Sequence, residues 1–312
     1  MVSKLFYKTL YSFGYLFSLI PLRVLYLFSD LLYFPLYYCI RYRQKIVRKN
    51  LVASFPEKTL RDIIRIEKKF YAFFCDYIIE TIKLFSISRK AMMRRMKFEN
   101  IQEIEEVFAS GQSCSLYLGH YCNWEWISSL PMHIGKECKC GQIYHALENP
   151  AFDRLFLKIR GRFGAHSIAM EDTFRTIVTW QRQGDLSIVG YISDQAPSYN
   201  AMHYWTNFLN HEDTPVFTGP ERISRLVNAV PFYTEIERTK RGYYKCRFIR
   251  MTESIKETPK FSITETYFRM LENTIVREPS FWLWSHNRWK RTREGFQARF
   301  SEEEQQKLTS RL

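Results

Sequence analysis

The hydrophobic pattern separates an apolar amino-terminal stretch from a longer region of alternating elements. Between Leu5 and Ile40 nearly every residue is apolar or aromatic, and charges intrude only at Lys8, Arg23 and Asp30. A helix that spans a membrane needs about 20 predominantly apolar residues. The stretch is therefore long enough for one tilted membrane helix, and it is too long for a cleavable signal peptide.

A basic segment follows directly at residues 41–49 and contains no acidic residue. Basic residues beside a spanning helix are typical of its cytoplasmic side, and they attract anionic headgroups. We therefore expect residues 1–50 to form a membrane anchor with its basic flank, and residues 51–312 to form a cytoplasmic domain. Two interfacial pieces hinged near Pro21, or an ordinary helical hairpin with a basic face, are the alternatives. The cations are Arg41, Arg43, Lys45, Arg48 and Lys49.

The pattern beyond residue 50 predicts an α/β domain. Residues 59–85 show helical periodicity, and from residue 100 onward short apolar runs alternate with helical stretches. Strands that alternate with helices indicate a mixed central sheet flanked by helices, with the active site in loops beyond the strand ends. The predicted strands are 115–118, 142–145, 187–192, 230–236 and 243–249, and the predicted helices are 101–109, 124–134, 150–163, 171–183, 216–228 and 261–276.

The composition narrows the expected partners. The formal net charge is +14, from 46 Lys and Arg against 32 Asp and Glu, which indicates a nucleic acid, an acidic lipid surface or a phosphate-bearing substrate. The aromatic content of 17% fits membrane–water interfaces, where rings with one polar end are favoured. The seven cysteines have irregular spacings, which indicate free thiols in a reducing compartment, and we expect none to be catalytic.

The residues with the clearest chemistry lie between a predicted strand and a predicted helix. Gly119 and His120 follow strand 115–118, and Asn123 is a suitable amino-terminal cap that would place Glu125 in the first helical turn. On one continuous helix, residues five positions apart would point about 140° away from each other. With His120 on the loop, the Glu125 carboxylate can fold back onto the imidazole, fix its tautomer and make it a general base for a substrate hydroxyl.

Two other interpretations of this segment remain open on spacing alone. A histidine near an acid is often structural. A metal site is the other alternative, with ligands drawn from His120, Glu125, Cys114 and Cys122, although no second ligand pair has a recognisable spacing. The segment by itself therefore does not decide between a base, a structural pair and a metal site.

The segment Gly119–Glu125 resembles the H-x4-D/E motif of membrane glycerolipid acyltransferases. Its surroundings resemble the lipid A biosynthesis acyltransferases of the lauroyl/myristoyl type, in the bacterial lysophospholipid acyltransferase family. Four further blocks follow in the order of that family, so the resemblance covers roughly residues 5–295. The blocks are Glu148–Asp153 leading into Arg160–Gly164; Ser193–Gln195; Phe208–Asn210 with Thr214–Pro220 and then Val230–Phe232; and Trp282–Lys290.

The resemblance implies a glycerolipid acyltransferase-like fold and transfer of a fatty acyl chain to a lipid hydroxyl. The implied donor is acyl carrier protein or acyl-CoA, the implied acceptor is a lipid A precursor, and His120 with Glu125 would act as the base without an acyl-enzyme. No cofactor or metal is expected. A lysophospholipid or amino-acid-headed lipid is the alternative acceptor, and a metal-dependent hydrolase is the less favoured alternative activity.

The resemblance also implies a location and partners. We expect the bacterial cell inner membrane, with the catalytic domain on the cytoplasmic side. The expected partners are acyl carrier protein, the lipid acceptor and an anionic inner-membrane surface. Nucleic acid is not expected, because no recognisable nucleic-acid motif accompanies the basic charge.

Further site residues are expected in the other blocks. Arg160 and Arg162 are candidates for stabilising the oxyanion or for binding an acceptor phosphate, because the guanidinium fork suits phosphate, and Arg162 fits the family block better. Asp194, Gln195 and Glu221 are expected to contribute to the same oxyanion, phosphate or acceptor binding.

A tryptophan-rich segment closes the matched region. It interleaves aromatic rings with basic residues, which is typical of a membrane surface or of the entrance to a lipid-binding site. Packing in the core is the alternative role. The residues expected at the membrane or lipid entrance are Trp282, Trp284, Arg288 and Trp289.

Overall fold

A seven-stranded mixed sheet lies at the centre of the computed structural model, which describes residues 4–135 and 137–310. The strands are β1 (Met96–Glu99), β2 (Cys114–Leu118), β3 (Lys139–Tyr144), β4 (His166–Ala169), β5 (Ser187–Ile192), β6 (Tyr204–Phe208), β7 (His211–Val216), β8 (Val230–Lys240) and β9 (Tyr243–Arg250). The sheet order is β1-β9-β8-β2-β5-β3-β4, and β6 and β7 form a separate hairpin.

Strand β2 is the middle of this sheet. It pairs in parallel with β5 on one side and β8 on the other, and all five of its residues are buried. Continuous burial is expected for a parallel strand that is covered by helices on both faces. The antiparallel β8–β9 hairpin makes the sheet mixed.

Helices cover the sheet and form the amino-terminal part of the chain. The α-helices are α1 (Lys4–Leu19), α2 (Leu22–Phe34), α3 (Gln44–Ser54), α4 (Leu60–Lys83), α5 (Arg89–Arg95), α6 (Gln102–Ala109), α7 (Pro150–Arg160), α8 (Thr173–Arg182), α9 (Gly219–Leu226), α10 (Ser262–Arg277), α11 (Arg293–Gln297) and α12 (Glu302–Thr309).

The predicted α/β class with a mixed central sheet and flanking helices is confirmed. Each predicted strand and helix has a counterpart, although residues 124–134 form a 3-10 helix, Trp124–Met132, with Pro131 inside it. The pattern does not indicate β1, β4 or the β6–β7 hairpin. Strands β1 and β4 have only four residues each and lie at the edges of the sheet, so they carry little periodic signal.

The amino-terminal stretch is broken at Pro21. Within the described residues no single helix is long and apolar enough to cross a membrane; Phe6–Leu19 and Leu22–Cys39 pass that test only as a pair, bent by 112°. The prediction of one spanning helix is therefore not confirmed, because the helical stretch is divided near Pro21. Proline lacks the N–H that a continuous helix needs at this point.

Side chains of α4 and the turn after it hold the end of α1. The Lys83 ammonium donates to the carbonyls of Ser18 at 2.5 Å and Ile20 at 3.0 Å, and the Ser86 hydroxyl donates to the Ser18 carbonyl at 2.6 Å. These carbonyls have no helical partner because the helix stops there. The break is thus stabilised by specific polar contacts.

Buried carboxylates on α4 connect the amino-terminal helices to the sheet and to the loop after β2. Glu67, Asp76 and Glu80 are at most 4% exposed, and a buried carboxylate is stable only when it is well paired or hydrogen-bonded. Their partners are Tyr37, Gln44 and Arg48 for Glu67; Ser29, Arg238 and Arg241 for Asp76; and Tyr26, Asn123 and Tyr244 for Glu80.

The expected domain boundary at residue 50 falls inside α3. The Asn50 amide donates to the carbonyls of Trp284 and His286, each at 2.9 Å. Residues before and after the boundary belong to one hydrophobic core, which extends from Leu22 to Trp284. The amino-terminal helices therefore pack as part of the same structural unit as the sheet.

Replacement of Gly242 by alanine tests how α2 docks on the β8–β9 hairpin. Gly242 has φ +72°, and a Cβ there would overlap the Tyr26 hydroxyl. Gly111 has φ +80° with open space around it, so Gly111→Ala is a matched control for the backbone cost of roughly 1–2 kcal/mol. We expect Gly242→Ala to lower the free energy of unfolding by a further ~1–3 kcal/mol. Denaturant unfolding measures the free energy of unfolding of both variants. Equal losses in the two variants would contradict the close contact between Gly242 and the Tyr26 hydroxyl.

Candidate active site

The site forms where β2 and β5 end side by side. Leu118 and Ile192 are register partners at the carboxyl ends of these parallel strands, and the chain leaves the sheet after each of them. Gly119 and His120 follow one strand, and Ser193 and Asp194 follow the other. Neighbouring parallel strands thus bring a histidine and an aspartate together from positions 74 residues apart.

Asp194 is the carboxylate that holds His120. Its Oδ1 lies 2.6 Å from His120 Nδ1, and its Oδ2 accepts hydrogen bonds from the His120 backbone N–H at 2.9 Å and from the Trp282 indole at 2.8 Å. Burial raises the pKa of Asp194, but attraction to His120 and the hydrogen bonds from His120 and Trp282 outweigh it and lower that pKa to about 2. The carboxylate is therefore ionised at neutral pH.

An ionised Asp194 fixes the tautomer of His120. A carboxylate without a proton can only accept, so His120 Nδ1 carries the hydrogen and donates it. The lone pair of the neutral ring is then on Nε2. The His120 side chain is 18% exposed, so a substrate can reach it. This is the orientation that a general base requires.

The expected contact between Glu125 and His120 is not made, so that part of the sequence interpretation is wrong. Glu125 is 4% exposed and binds Arg160 through two hydrogen bonds, from Nε at 2.7 Å and from Nη2 at 2.6 Å. The Asn123 cap is confirmed, since its side chain accepts from the Trp126 backbone N–H at 3.2 Å. Glu125 does lie in the first turn, but that turn directs its carboxylate to α7.

Aromatic rings connect His120 with the Glu125–Arg160 pair. The Trp124 ring meets His120 edge-on at 5.1 Å between centroids and stacks on Tyr77 at 4.2 Å. The Tyr77 hydroxyl lies 3.5 Å from Glu125 Oε1, at the limit of a hydrogen bond. Burial, the largest effect, and the nearby Glu125 raise the pKa of the Tyr77 hydroxyl, so it remains protonated. The wall of the site is therefore largely apolar.

Gln195 faces the other nitrogen of the imidazole. Its Nε2 lies 3.2 Å from His120 Nε2. The backbone that follows it is held by the carboxyl-terminal part of the chain: His286 accepts from the Ala196 N–H at 3.3 Å, and Arg291 donates to the Pro197 carbonyl at 3.0 Å. Burial lowers the pKa of His286 to about 4, which keeps it neutral and able to accept that bond.

Three residues expected at a membrane surface or lipid entrance are buried, so the surface part of that prediction is wrong for them. Trp282 is 3% exposed, and Trp284 and Arg288 are fully buried. Trp282 donates to Asp194, and Trp284 donates to the Pro279 carbonyl at 2.6 Å. Arg288 donates to the Pro215 carbonyl at 2.8 Å. The partly exposed Trp289 stacks on His211 at 3.8 Å.

The tryptophan segment also holds the loop after β2. The Cys122 N–H donates to the Phe281 carbonyl and the Leu283 N–H donates to the His120 carbonyl, each at 3.0 Å, so the two segments pair like short strands around Tyr121 and Trp282. The segment thus positions His120 through its backbone and Asp194 through an indole.

Two other expected site residues have structural partners instead. Arg162 donates to the carbonyls of Leu84 and Ile87 just after α4. Glu221 is fully buried and accepts bonds from Arg225 and Thr264. Arg160 therefore pairs with the candidate site residue Glu125, whereas Arg162, the arginine favoured from the sequence, binds backbone carbonyls.

Sequence reasoning assigned no role to Tyr77, and it assigned Trp124 none beyond its place in the segment. Tyr77 belongs to the apolar face of the 59–85 helix, where an aromatic residue is expected in the core. Only the tertiary packing brings it to Glu125. Among the described residues, no three His, Cys, Asp or Glu side chains group as metal ligands, so the metal-site alternative has no ligand set there.

The match to a known family covers the whole of this site. The model of the bacterial lipid A biosynthesis acyltransferases matches residues 8–291, which include His120, Glu125, Arg160 and Asp194. No curated protein matches the chain significantly. The family match spans well over half of the chain and extends from α1 to the tryptophan segment. The chain therefore belongs to the bacterial lipid A biosynthesis acyltransferase family and is an acyltransferase.

Proposed function

We propose that this acyltransferase transfers a fatty acyl chain from the thioester of acyl carrier protein, or of acyl-CoA, to a hydroxyl of a lipid A precursor. The observation that carries the proposal is the 2.6 Å contact between His120 Nδ1 and the ionised Asp194. It gives a partly exposed imidazole the tautomer that can take the proton of a hydroxyl. No acyl-enzyme is required, because the acceptor hydroxyl is itself the nucleophile.

The reaction proceeds through one tetrahedral intermediate. His120 Nε2 takes the proton of the acceptor hydroxyl while that oxygen bonds to the thioester carbonyl carbon. Asp194 stabilises the imidazolium that forms. The carbonyl then re-forms, the carbon–sulfur bond breaks, and the imidazolium returns its proton to the leaving thiolate. These steps require no cofactor.

Arg160 is the proposed stabiliser of the oxyanion. Its two bonds to Glu125 use Nε and Nη2, and no hydrogen bond among the described residues uses Nη1, which remains for a ligand. Burial alone would lower the pKa of Arg160, but attraction to Glu125 and the hydrogen bonds to it, with smaller contributions from Tyr77 and Asp153, together raise that pKa. Glu125 therefore acts by orienting a cation, rather than by contacting the base. A preorganised donor of this kind typically contributes ~3–4 kcal/mol in acyl transfer.

We also propose that the protein works at the bacterial inner membrane with this site on the cytoplasmic side. Phe13 and Leu16 on α1 and Leu27 and Leu31 on α2 have exposed fractions between 61% and 71%. Large contiguous apolar surfaces of this kind favour contact with lipid. The net charge of +14 supports an anionic surface and an acidic carrier protein as partners.

The acceptor is the least constrained part of the proposal. A lysophospholipid or an amino-acid-headed lipid offers the same hydroxyl chemistry to His120, and both remain alternatives. The family match favours the lipid A precursor. The metal-dependent hydrolase is not favoured, because His120 is committed to Asp194 and the described residues contain no cluster of metal ligands.

Lipid mass spectrometry of cells lacking the protein tests the function. We expect one lipid class to lose a single acyl chain, and the identity of that class distinguishes lipid A from the alternative acceptors. Wild-type protein should restore the chain, whereas His120→Ala at equal abundance should not. Restoration by His120→Ala would remove the base from the mechanism.

Replacement of Asp194 by asparagine tests which acid holds the base. The amide of the introduced asparagine can donate to Nδ1, so the ring hydrogen would move to Nε2. Nε2 would then have no lone pair to take the proton of the acceptor hydroxyl. We expect kcat to fall by about 10²–10⁴-fold, measured as thiol release from the acyl donor with acceptor present. Asp185→Asn is the control, because the Asp185 carboxylate forms a surface pair with Lys139 at 3.8 Å. Unchanged turnover in Asp194→Asn would contradict the assignment.

Conservative changes at the two arginines separate their roles. Arg160→Lys keeps a charge for Glu125 but loses the fork, and we expect kcat to fall by about 10²-fold with little change in KM. Arg162→Lys should leave kcat within about twofold, because Arg162 binds backbone carbonyls away from His120, and it should lower the melting temperature instead. If steady-state kinetics show a large fall in kcat for Arg162→Lys and little change for Arg160→Lys, stabilisation of the oxyanion is assigned to Arg162 instead.

A further inference from the structure

His120 Nε2, the nitrogen that must act as the base, already has a hydrogen-bond partner in the free protein. Asp194 accepts the Nδ1 hydrogen, so Nε2 holds the lone pair of His120. The atom 3.2 Å from that lone pair is Nε2 of the Gln195 amide. An amide N–H donates well to such a lone pair, whereas an amide oxygen would repel it, so the tautomer itself fixes which way the Gln195 amide points.

We propose that the Gln195 amide masks the general base: it binds His120 Nε2 until the acceptor hydroxyl displaces the amide. Water is thereby excluded as a competing nucleophile. This inference rests on the proposed acyl transfer. Gln195 acts through His120 and is a positioning residue. Its role here is the suppression of thioester hydrolysis, which is distinct from binding the oxyanion or the acceptor.

The reaction to be suppressed differs from transfer only in the nucleophile. Water would give its proton to His120 Nε2 while its oxygen bonds to the thioester carbonyl. The carbon–sulfur bond would then break, and the products would be a free fatty acid and the carrier thiol. An exposed His120–Asp194 pair activates water as readily as an alcohol. An acyltransferase that binds its donor first therefore needs a means of keeping water from Nε2.

The surroundings favour a side chain that moves on a fixed backbone. His286 and Arg291 hold the backbone of Ala196 and Pro197, and Asp194 is anchored by three hydrogen bonds. The Gln195 side chain is bound only through its bond to His120 among the contacts of the described residues. One neutral hydrogen bond is weak enough for a bound alcohol to replace.

Chemical modification of His120 measures the masking without any acyl donor. Diethylpyrocarbonate reacts with the unprotonated lone pair, and peptide mass spectrometry gives the rate at His120 relative to the exposed His166. We expect Gln195→Ala and Gln195→Met to raise that ratio roughly two- to tenfold, as the loss of one hydrogen bond allows. Methionine fills the space of glutamine without donating. Gln142→Ala, which removes a bond to Ser167 between β3 and β4, is the control and should leave the ratio unchanged.

Thioester hydrolysis tests the consequence. Lauroyl-CoA is supplied without acceptor, and release of thiol is followed. Gln195→Ala should hydrolyse it roughly two- to tenfold faster than wild type, and the double variant with His120→Ala should return to background. An unchanged modification ratio in both single variants would overturn the masking. Faster modification without faster hydrolysis, or hydrolysis that survives His120→Ala, would overturn the exclusion of water.

These outcomes are separable from failure of the proposed function. If cells lacking the protein show no acyl loss and His120→Ala has no effect on lipid, the transfer reaction is rejected. The modification ratio at His120 still decides whether Gln195 masks Nε2, because that measurement needs only the folded protein.

Discussion

The three buried carboxylates of α4 are the constraint on which the architecture depends. Each would be unfavourable in the core without partners, and each is satisfied by groups from distant parts of the chain. Glu80 is the most consequential, because it binds Tyr26 of α2, Tyr244 of β9 and Asn123 beside the site. Burial raises the pKa of Glu80, although its three hydrogen bonds oppose that shift. Helix α2, the sheet and the loop after β2 therefore meet at one side chain.

The candidate active site also depends on a buried carboxylate that several partners satisfy. Asp194 is buried and receives three hydrogen bonds, two from His120 and one from Trp282. The cost of burying the carboxylate is offset only while all of these partners are in place. A second ion pair, between Glu125 and Arg160, lies beside Tyr77, whose ring stacks on Trp124. The chain thus carries two buried acids with separate partners, Asp194 with His120 and Glu125 with Arg160.

The sequence was sufficient for the long helices and the central strands, but it was insufficient for the pairing of the two acids. Strands β2 and β5 are recognisable from their apolar runs, and the rule that sites lie beyond strand ends indicates both His120 and Asp194. Nothing in the pattern states that β2 and β5 are neighbours, since the order of strands depends on long-range pairing. Glu125, the nearer acid along the chain, was therefore assigned to the base. The same limit applies to Arg162, whose carbonyl partners are set by tertiary packing.

Long-range partners also explain the error in the tryptophan segment. Interleaved aromatic and basic residues look alike at a membrane surface and in a core, because the sequence does not show which partner carbonyls and carboxylates are near. Trp282 and Arg288 find Asp194 and the Pro215 carbonyl inside the protein. The amino-terminal stretch differs, because a local residue and not a distant partner decides its structure. Its composition fits a single span, and one proline divides it.

The pairing of the loop after β2 with residues 281–283 has a consequence for synthesis of the chain. The contact between Asp194 and Trp282 spans 88 residues, or about 4–18 s at roughly 5–20 residues per second. During that interval a growing chain already contains His120 and Asp194, but it lacks the segment that holds both in place. An incomplete chain therefore lacks the indole and the backbone contacts that hold the His120–Asp194 pair.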